Sequence, residues 1–145
     1  MRQGHQRYVE KNREKWLQRS RDYTKCNPDK IQNITRSRAL DPEKRAKFMW
    51  AQVKKRAKSG DFDITLEWVR ERIYNGKCEV TGIPFQLTYG QGVVPWCPSI
   101  DRIDSSRGYT MDNCRMVVVI LNLAKNKFTD DDVMTLAQAL TERKK

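Results

Sequence analysis

Asp101, Asn122 and Asn126 carry the side-chain oxygens that a hard divalent cation prefers as ligands. A Mg²⁺ ion held by one carboxylate and two amides would keep part of its water shell and bind phosphate oxygens as well. It would then neutralise charge on a phosphodiester and stabilise the oxygen that leaves. The ordinary structural interpretation is an aspartate that contacts backbone at a strand end and two asparagines on a solvated helix face. Residue types and spacing alone leave both interpretations open.

The elements that would position these side chains follow from the pattern between residues 98 and 127. Residues 99–104 alternate polar and apolar side chains, as strands do, and residues 105–113 are rich in turn formers. Residues 114–119 suit a second strand, and residues 119–127 suit a short helix with Asn122, Lys125 and Asn126 on one face. The order strand, turn, strand, helix predicts an α+β fold in which the strand carboxylate of Asp101 lies opposite the helix amides.

Flanking helices are predicted from their capping residues. Asp41 is an N-cap candidate before Pro42, with Gly60 as the stop, and a shorter helix over residues 66–75 begins after Thr65. Gly76 ends that second helix. Residues 77–85 suggest strand, turn and strand, and residues 88–98 suggest a loop. A C-terminal helix after Thr129 is expected to pack on the core through Val133, Met134, Leu136, Ala137 and Leu140.

The excess of positive charge lies in the N-terminal part of the chain. Residues 1–60 carry 18 Lys and Arg against six Asp and Glu, whereas residues 61–145 carry 11 against 12. Such a surface suits nucleic acid, because each cation that meets a phosphate releases a condensed counterion; a solvated face that only aids solubility is the alternative. We predict a basic extension over residues 1–40, with a helix over 6–25 and a linker over 29–40, before a domain over 41–145. The cations expected to face nucleic acid are Arg36, Arg38, Lys44, Lys47, Lys54, Lys55 and Lys58.

Membrane and export signals are not evident in the sequence. No apolar run of about 18 residues occurs, and the first residues are polar and basic. We therefore expect no membrane partner and a cytoplasmic location, in the host cell if a phage encodes the chain. The four cysteines are widely spread in a chain with no evident export signal, so we expect reduced thiols. They form no CxxC pair, which argues against a structural zinc and leaves only a site of three cysteines open.

Four motifs give the chain a family resemblance. They are CEVTGIPF at residues 78–85, SIDRID at 99–104, GYTMDN at 108–113 and NLAK at 122–125. In this order they resemble a branch of the HNH endonucleases often encoded by phages, over about residues 41–140. The resemblance implies a ββα-metal core over about residues 98–127, with flanking helices and the basic, mainly helical extension.

The resemblance also implies roles for single residues. Asp101 is similar to the strand aspartate that binds Mg²⁺ or Mn²⁺, and Asn122 and Asn126 occupy positions of further metal ligands. Asn113 is similar to the asparagine that braces the loop between the strands. Lys125 would lie near phosphate.

Arg102 departs from the family pattern. The general base of the family is usually a histidine directly after the metal-binding aspartate, and arginine has no acceptor atom with which to take a proton from water. Asp104 is the nearest alternative carboxylate. Two function classes follow: an Mg²⁺-dependent endonuclease acting on DNA, with RNA left open, or a weak or inactive module of the same fold that binds nucleic acid or a partner protein.

Overall fold

The computed structural model describes residues 10, 12–57, 61–91 and 94–143. Its elements follow one another along the chain as α1 (Arg13–Cys26), α2 (Pro28–Leu40), α3 (Pro42–Arg56), α4 (Leu66–Asn75), β1 (Pro98–Arg102), β2 (Cys114–Val118), α5 (Val119–Lys125) and α6 (Asp130–Glu142). The predicted α+β class is confirmed: within the described residues, helices accompany a two-stranded sheet that is followed directly by a helix.

The N-terminal helices α1 and α2 have no buried residue in their described parts. Helix α1 ends before Asn27 and Pro28 as expected, whereas residues 6–9 and 11 of the predicted first helix lie outside the described residues. The linker predicted over residues 29–40 is wrong, because this segment is helical. Pro28 takes the first helical position and Asp29 the first turn, both of which favour a helix even where apolar periodicity is missing.

Compact units of the chain comprise residues 1–36 and residues 37–145. The boundary predicted after residue 40 stays a prediction. The second unit contains the sheet, the motif helix α5 and helices α3, α4 and α6.

Helices α3 and α4 begin and end largely where their capping residues indicate. The Asp41 carboxylate accepts a hydrogen bond from Lys44 N at 3.0 Å, and the Thr65 hydroxyl accepts one from Trp68 N at 3.1 Å. Gly76 ends α4 in the left-handed region, at φ 71°. Helix α3 ends at Arg56, four residues before the end that was predicted at Gly60. Gly60 itself lies outside the described residues.

The predicted strand pair over residues 77–85 is a tight turn instead. Lys77 and Pro84 form a single antiparallel bridge, because Pro84 has no N–H with which to extend a ladder. Gly82 takes φ 70° after Thr81, as a turn glycine does. The segment docks on β2 through Glu79, whose N–H donates to Met116 O at 2.9 Å and whose carboxylate accepts from Met116 N.

Strands β1 and β2 form an antiparallel pair in which Asp101 lies opposite Arg115. Helix α5 follows β2 without a loop and packs against both strands. The core behind the sheet joins one side chain or more from each of α3, α4, β1 and β2: Ala46, Met49, Val53, Ile64, Trp68, Val69, Ile73, Ile100, Cys114 and Met116. This packing fixes the strand that carries Asp101 against two helices.

The loop between the strands approaches the segment before α4 very closely. A Cβ atom added to Gly108 would lie 2.2 Å from the backbone oxygen of Asp61, so only glycine fits. The Asp63 carboxylate accepts a hydrogen bond from Met111 N at 2.6 Å, and Asp63 N donates to Tyr109 O at 3.3 Å. The close approach to Asp61 explains the glycine of the GYTMDN motif by packing.

Helix α6 departs from its predicted role. It begins with a capping box between Thr129 and Asp132, but none of its residues is buried. Met134, Leu136 and Leu140 are 57%, 55% and 58% exposed, so the expectation that they pack on the core is wrong.

Candidate active-site cleft

A cleft of about 430 Å³ lies where β1 faces α5. Asp101 and Arg102 of β1, Asn122 of α5 and Asn126 after it all contribute to its lining, together with Arg56 from the end of α3. The two segments are separated by about twenty residues in sequence and meet because β2 leads directly into α5. The structure thus brings the three predicted metal ligands around one cavity.

Asp101 is 3% exposed and bound by two cations. Its Oδ2 atom accepts from Arg115 Nε and lies 2.9 Å from Arg115 Nη2, and its Oδ1 atom lies 3.4 Å from Lys125 Nζ. A buried carboxylate without such partners would cost several kcal/mol, about the penalty for desolvating one ion. The two cations therefore hold the Asp101 carboxylate in one fixed orientation.

Lys125 is not where the resemblance implied. It is 0% exposed and donates to Arg102 O at 2.8 Å as well as pairing with Asp101. Long helical side chains extend toward the N-terminus of their helix, which brings Lys125 Nζ from the last turn of α5 to the strand. The expected contact of Lys125 with phosphate is corrected: this lysine is a buried counter-ion.

Arg102 lines the cleft, at the position where the resemblance of the sequence to HNH endonucleases implies a histidine. Its guanidinium lies 4.9 Å from the centre of the Tyr109 ring, and Nη1 donates to Arg107 O at 2.9 Å. These two contacts hold the side chain in place and leave other N–H groups for an anion.

Asp104 lies in the turn after β1 and does not contribute to the lining of the cleft. Its Oδ1 atom accepts from Ser106 N at 2.9 Å and from Ser106 Oγ at 2.6 Å. These hydrogen bonds hold the pKa of the Asp104 carboxyl below its usual range. A carboxylate so stabilised is a weaker base, and its Oδ1 atom is occupied by hydrogen bonds within the turn.

Asn113 spans the loop between the strands and is 1% exposed. Its Nδ2 group donates to Asp104 O at 3.0 Å and Gly108 O at 2.9 Å, while its Oδ1 atom accepts from Asp104 N at 3.0 Å. Three backbone groups of the loop are thereby satisfied by one side chain. Asn113 does not line the cleft.

Asn122 and Asn126 offer amide oxygens from two different backbone settings. Asn122 Nδ2 donates to Ser99 Oγ at 2.7 Å and Ile100 O at 3.2 Å, and its Oδ1 accepts no hydrogen bond from the described residues. Asn126 ends α5 at φ 47°, a sparsely populated value that asparagine tolerates better than most residues. Asn122 Oδ1 is thus a free acceptor in the lining, and Asn126 is exposed beside it.

Arg115 and Asp130 form a part of this centre that sequence reasoning missed. The Arg115 guanidinium forms two hydrogen bonds with Asp130, at 2.7 and 2.5 Å, in addition to its contacts with Asp101. The ion pair holds the pKa of the Asp130 carboxyl below its usual range. An arginine in a strand flanked by apolar residues was the available signal, since such a cation needs a carboxylate partner.

The predicted nucleic-acid contacts outside the cleft lie on exposed helix surfaces. Lys44, Lys47, Lys54 and Lys55 of α3 are exposed, as are Arg36 and Arg38 of α2, whereas Lys58 lies outside the described residues. Two of the lysines are paired within α3, Lys47 with Glu43 at 2.9 Å and Lys44 with Asp41 at 4.0 Å.

All four cysteines are free thiols, and Cys78, Cys97 and Cys114 are buried. Burial raises the pKa of the Cys114 thiol to about 12, which disfavours the thiolate that a metal would need. Among the described residues no group of three or more His, Cys, Asp and Glu is placed to hold a metal ion. Amide oxygens, such as that of Asn122, belong to none of these four residue types.

Comparisons with known proteins add a likeness of structure. No protein-family model and no curated protein sequence matches the chain. Among solved structures, it is similar to one described as the rare-cutting HNH restriction endonuclease PacI, at 21% identity and a TM-score of 0.48, over 68% of this chain and 78% of that one. None of the helices in the described ranges combines the length and apolarity that crossing a bilayer requires.

Proposed function

We propose that the chain is a DNA endonuclease of the ββα-metal type, with Asp101 and Asn122 as ligands of Mg²⁺ or Mn²⁺. The observation that carries this proposal is the single cleft that joins a buried, oriented carboxylate on β1 to amide oxygens on and after α5. A carboxylate and amides suit a hard cation, and Mg²⁺ needs few protein ligands because it keeps several waters.

The residues present fit such a metal. Asn122 Oδ1 accepts no hydrogen bond from the described residues. The amide nitrogen of Asn122 donates to Ser99 Oγ and Ile100 O, so the amide oxygen points away from these two groups. The Asp101 carboxylate pairs with Arg115 through one oxygen and with Lys125 through the other, and the residue still lines the cleft. When bound, the metal would supply charge neutralisation at the scissile phosphate and stabilise the leaving oxygen.

The chain's own residues perform the binding part of the reaction. Arg102 and Arg56 contribute to the lining of the cleft, where their guanidinium groups would bind phosphate oxygens of the DNA. The exposed cations of α2 and α3 would also bind the DNA backbone, with the strong salt dependence of such contacts. RNA offers the same phosphates, so the preference for DNA is part of the proposal.

A second candidate function is a non-catalytic module that binds nucleic acid or a partner protein. It is favoured by Arg102, which has no acceptor atom at the position where the family usually has its base. It is also favoured by Asp104, the nearest alternative carboxylate, which is engaged with Ser106 in the turn.

Nicking of a supercoiled plasmid by the purified chain separates the two functions. The endonuclease predicts open-circular product with Mg²⁺ or Mn²⁺ and none with EDTA. Plasmid that stays supercoiled at protein concentrations sufficient to retard it in a gel would favour the binding module. A run with a single-stranded RNA of matched length tests the preference for DNA.

A further inference from the structure

Helix α6 presents a continuous apolar stripe to solvent. Val133, Leu136, Ala137 and Leu140 follow one another at intervals of three, one and three residues, which places them on one face of the helix. Met134 lies at the edge of that face. Leu136 and Leu140 are more than half exposed, and Val133 is half-buried.

Such a stripe is unusual on a helix that is otherwise well specified. The capping box of Thr129 and Asp132 fixes the start of α6, and three aspartates in the first turn suit the positive end of its dipole. A short helix gains most of its stability from an amphipathic face packed on something else, and an exposed apolar patch marks an interaction surface. No described residue packs against Leu136 or Leu140 closely enough to bury its side chain.

We propose that the apolar stripe of α6 packs antiparallel against the same stripe of a second copy of this chain. The charges of the helix argue for this partner. The first turn holds Asp130, Asp131 and Asp132, whereas Arg143 is the C-cap that follows Glu142, the last helical residue. Asp132 and Arg143 lie on the same flank of the stripe, at opposite ends of the helix. Two antiparallel copies related by a twofold axis would therefore set Asp132 of each helix beside Arg143 of the other.

The packing of side chains also suits a self-pair. About the middle of the helix, Val133 of one copy would face Leu140 of the other, and the small side chain of Ala137 would lie near the axis, where it permits close approach. Antiparallel helix dipoles add a favourable term. The proposal concerns α6 alone and holds whether or not the cleft cleaves DNA.

The size of the interface predicts a concentration-dependent dimer. Helix α6 has 13 residues and is about 20 Å long, so one helix pair is smaller than the interfaces of about 1,200–2,000 Å² found in stable complexes. We expect monomer and dimer in exchange as the protein concentration is raised.

Sedimentation velocity of the full chain over a range of concentrations tests the proposal. The wild type should shift from monomer toward dimer, and Leu136→Asp and Leu140→Asp should each stay monomeric because they bury a charge in the apolar face. The control is Val80→Asp, which places the same charge on a side chain 46% exposed in the turn before β1. It should dimerise like the wild type.

A charge reversal tests the antiparallel orientation. Arg143→Glu would place an acid beside the acidic start of the partner helix, so it should weaken the dimer, and more so at low salt. Lys127→Glu, outside the helix, is the matched control. The proposal is overturned if the wild type is monomeric throughout, or if Val80→Asp abolishes the dimer as fully as Leu136→Asp does.

Discussion

The Lys125 ammonium is buried beside the Asp101 carboxylate, with Nζ 3.4 Å from Oδ1. Lys125 also donates to Arg102 O, so a single side chain joins α5 to the last two residues of β1. Because Arg115 approaches Asp101 through its other oxygen, the carboxylate is fixed between two cations. The orientation of the proposed metal ligand thus depends on residues that do not contact substrate.

Lys125→Met should destabilise the fold far more than a surface substitution. The substitution removes one of the two cations beside the buried Asp101 carboxylate and leaves Arg102 O without its donor, while Arg115 still pairs with Asp101. A buried acceptor left without its partner costs about 1–3 kcal/mol. Urea denaturation measures the change, with Lys55→Met on the exposed face of α3 as the control.

In DNA binding the two variants should behave the other way round, with the larger effect in Lys55→Met. Lys55→Met should flatten the slope of log K against log salt by about 0.9 if the contact exists, and Lys125→Met should leave it unchanged. A flatter slope for Lys125→Met would contradict the buried assignment.

Asp130→Asn should reduce the dependence of stability on acid pH. The ion pair with Arg115 lowers the pKa of Asp130 in the folded chain. A carboxyl with a lowered folded-state pKa stabilises the fold above its unfolded pKa of about 4, and this contribution is lost as the pH falls through the folded value. Unfolding free energies measured between pH 5 and pH 2, about the range where Asp titrates, should fall less steeply in Asp130→Asn than in the wild type. Asp131→Asn, one residue away and exposed, should follow the wild type.

Asn113→Ala should loosen the loop between the strands. It would leave three backbone groups of residues 104 and 108 without their partner, each worth about 1–3 kcal/mol when buried and unsatisfied. Because residue 104 is exposed and residue 108 is half-buried, water can replace part of these contacts, so thermal or urea unfolding should show a total loss of about 1–3 kcal/mol. The control is Asn75→Ala, at the exposed end of α4. Equal stability of the two variants would show that the loop holds without this amide.

Arg102→His should accelerate cleavage if the missing base limits the rate. A positioned general base contributes about 10²–10⁴-fold, and imidazole can accept a proton where guanidinium cannot. Plasmid nicking rates measure the effect, and Arg56→His, the other arginine of the cleft, should not show it. A slower Arg102→His enzyme would indicate that Arg102 itself binds the phosphate.

Local signals in the sequence were sufficient for some elements. Thr65 and Gly76 act on adjacent backbone groups, so the bounds of α4 could be predicted from the chain alone. The helical character of residues 28–40 was missed because the segment has no apolar stripe to reveal it. Apolar periodicity predicted that α6 would form but could not say what its face would contact.

The centre itself depended on tertiary contacts. The spacing predicted Lys125 on one helix face with Asn122 and Asn126. Its long side chain instead extends to Asp101, so the two asparagines line the cleft and Lys125 does not. The apolar neighbours of Arg115 in the strand indicate that it needs a carboxylate partner, but no local pattern identifies that partner as Asp130 on another element.

Substitution of the two proposed ligands is the most direct test of the account. Nicking with Mg²⁺ should fall by about 100-fold or more in Asp101→Asn and in Asn122→Ala, since a bound metal supplies several kcal/mol of transition-state stabilisation. Asp61→Asn, an exposed carboxylate outside the cleft, should retain wild-type rates. Asn122→Ala keeps both cations and Asp101 in place, so it separates loss of a ligand from loss of the fold, and gel retardation should show that it still binds DNA. Mg²⁺-dependent nicking at wild-type rates in both ligand variants would contradict the assignment of this cleft as the active site.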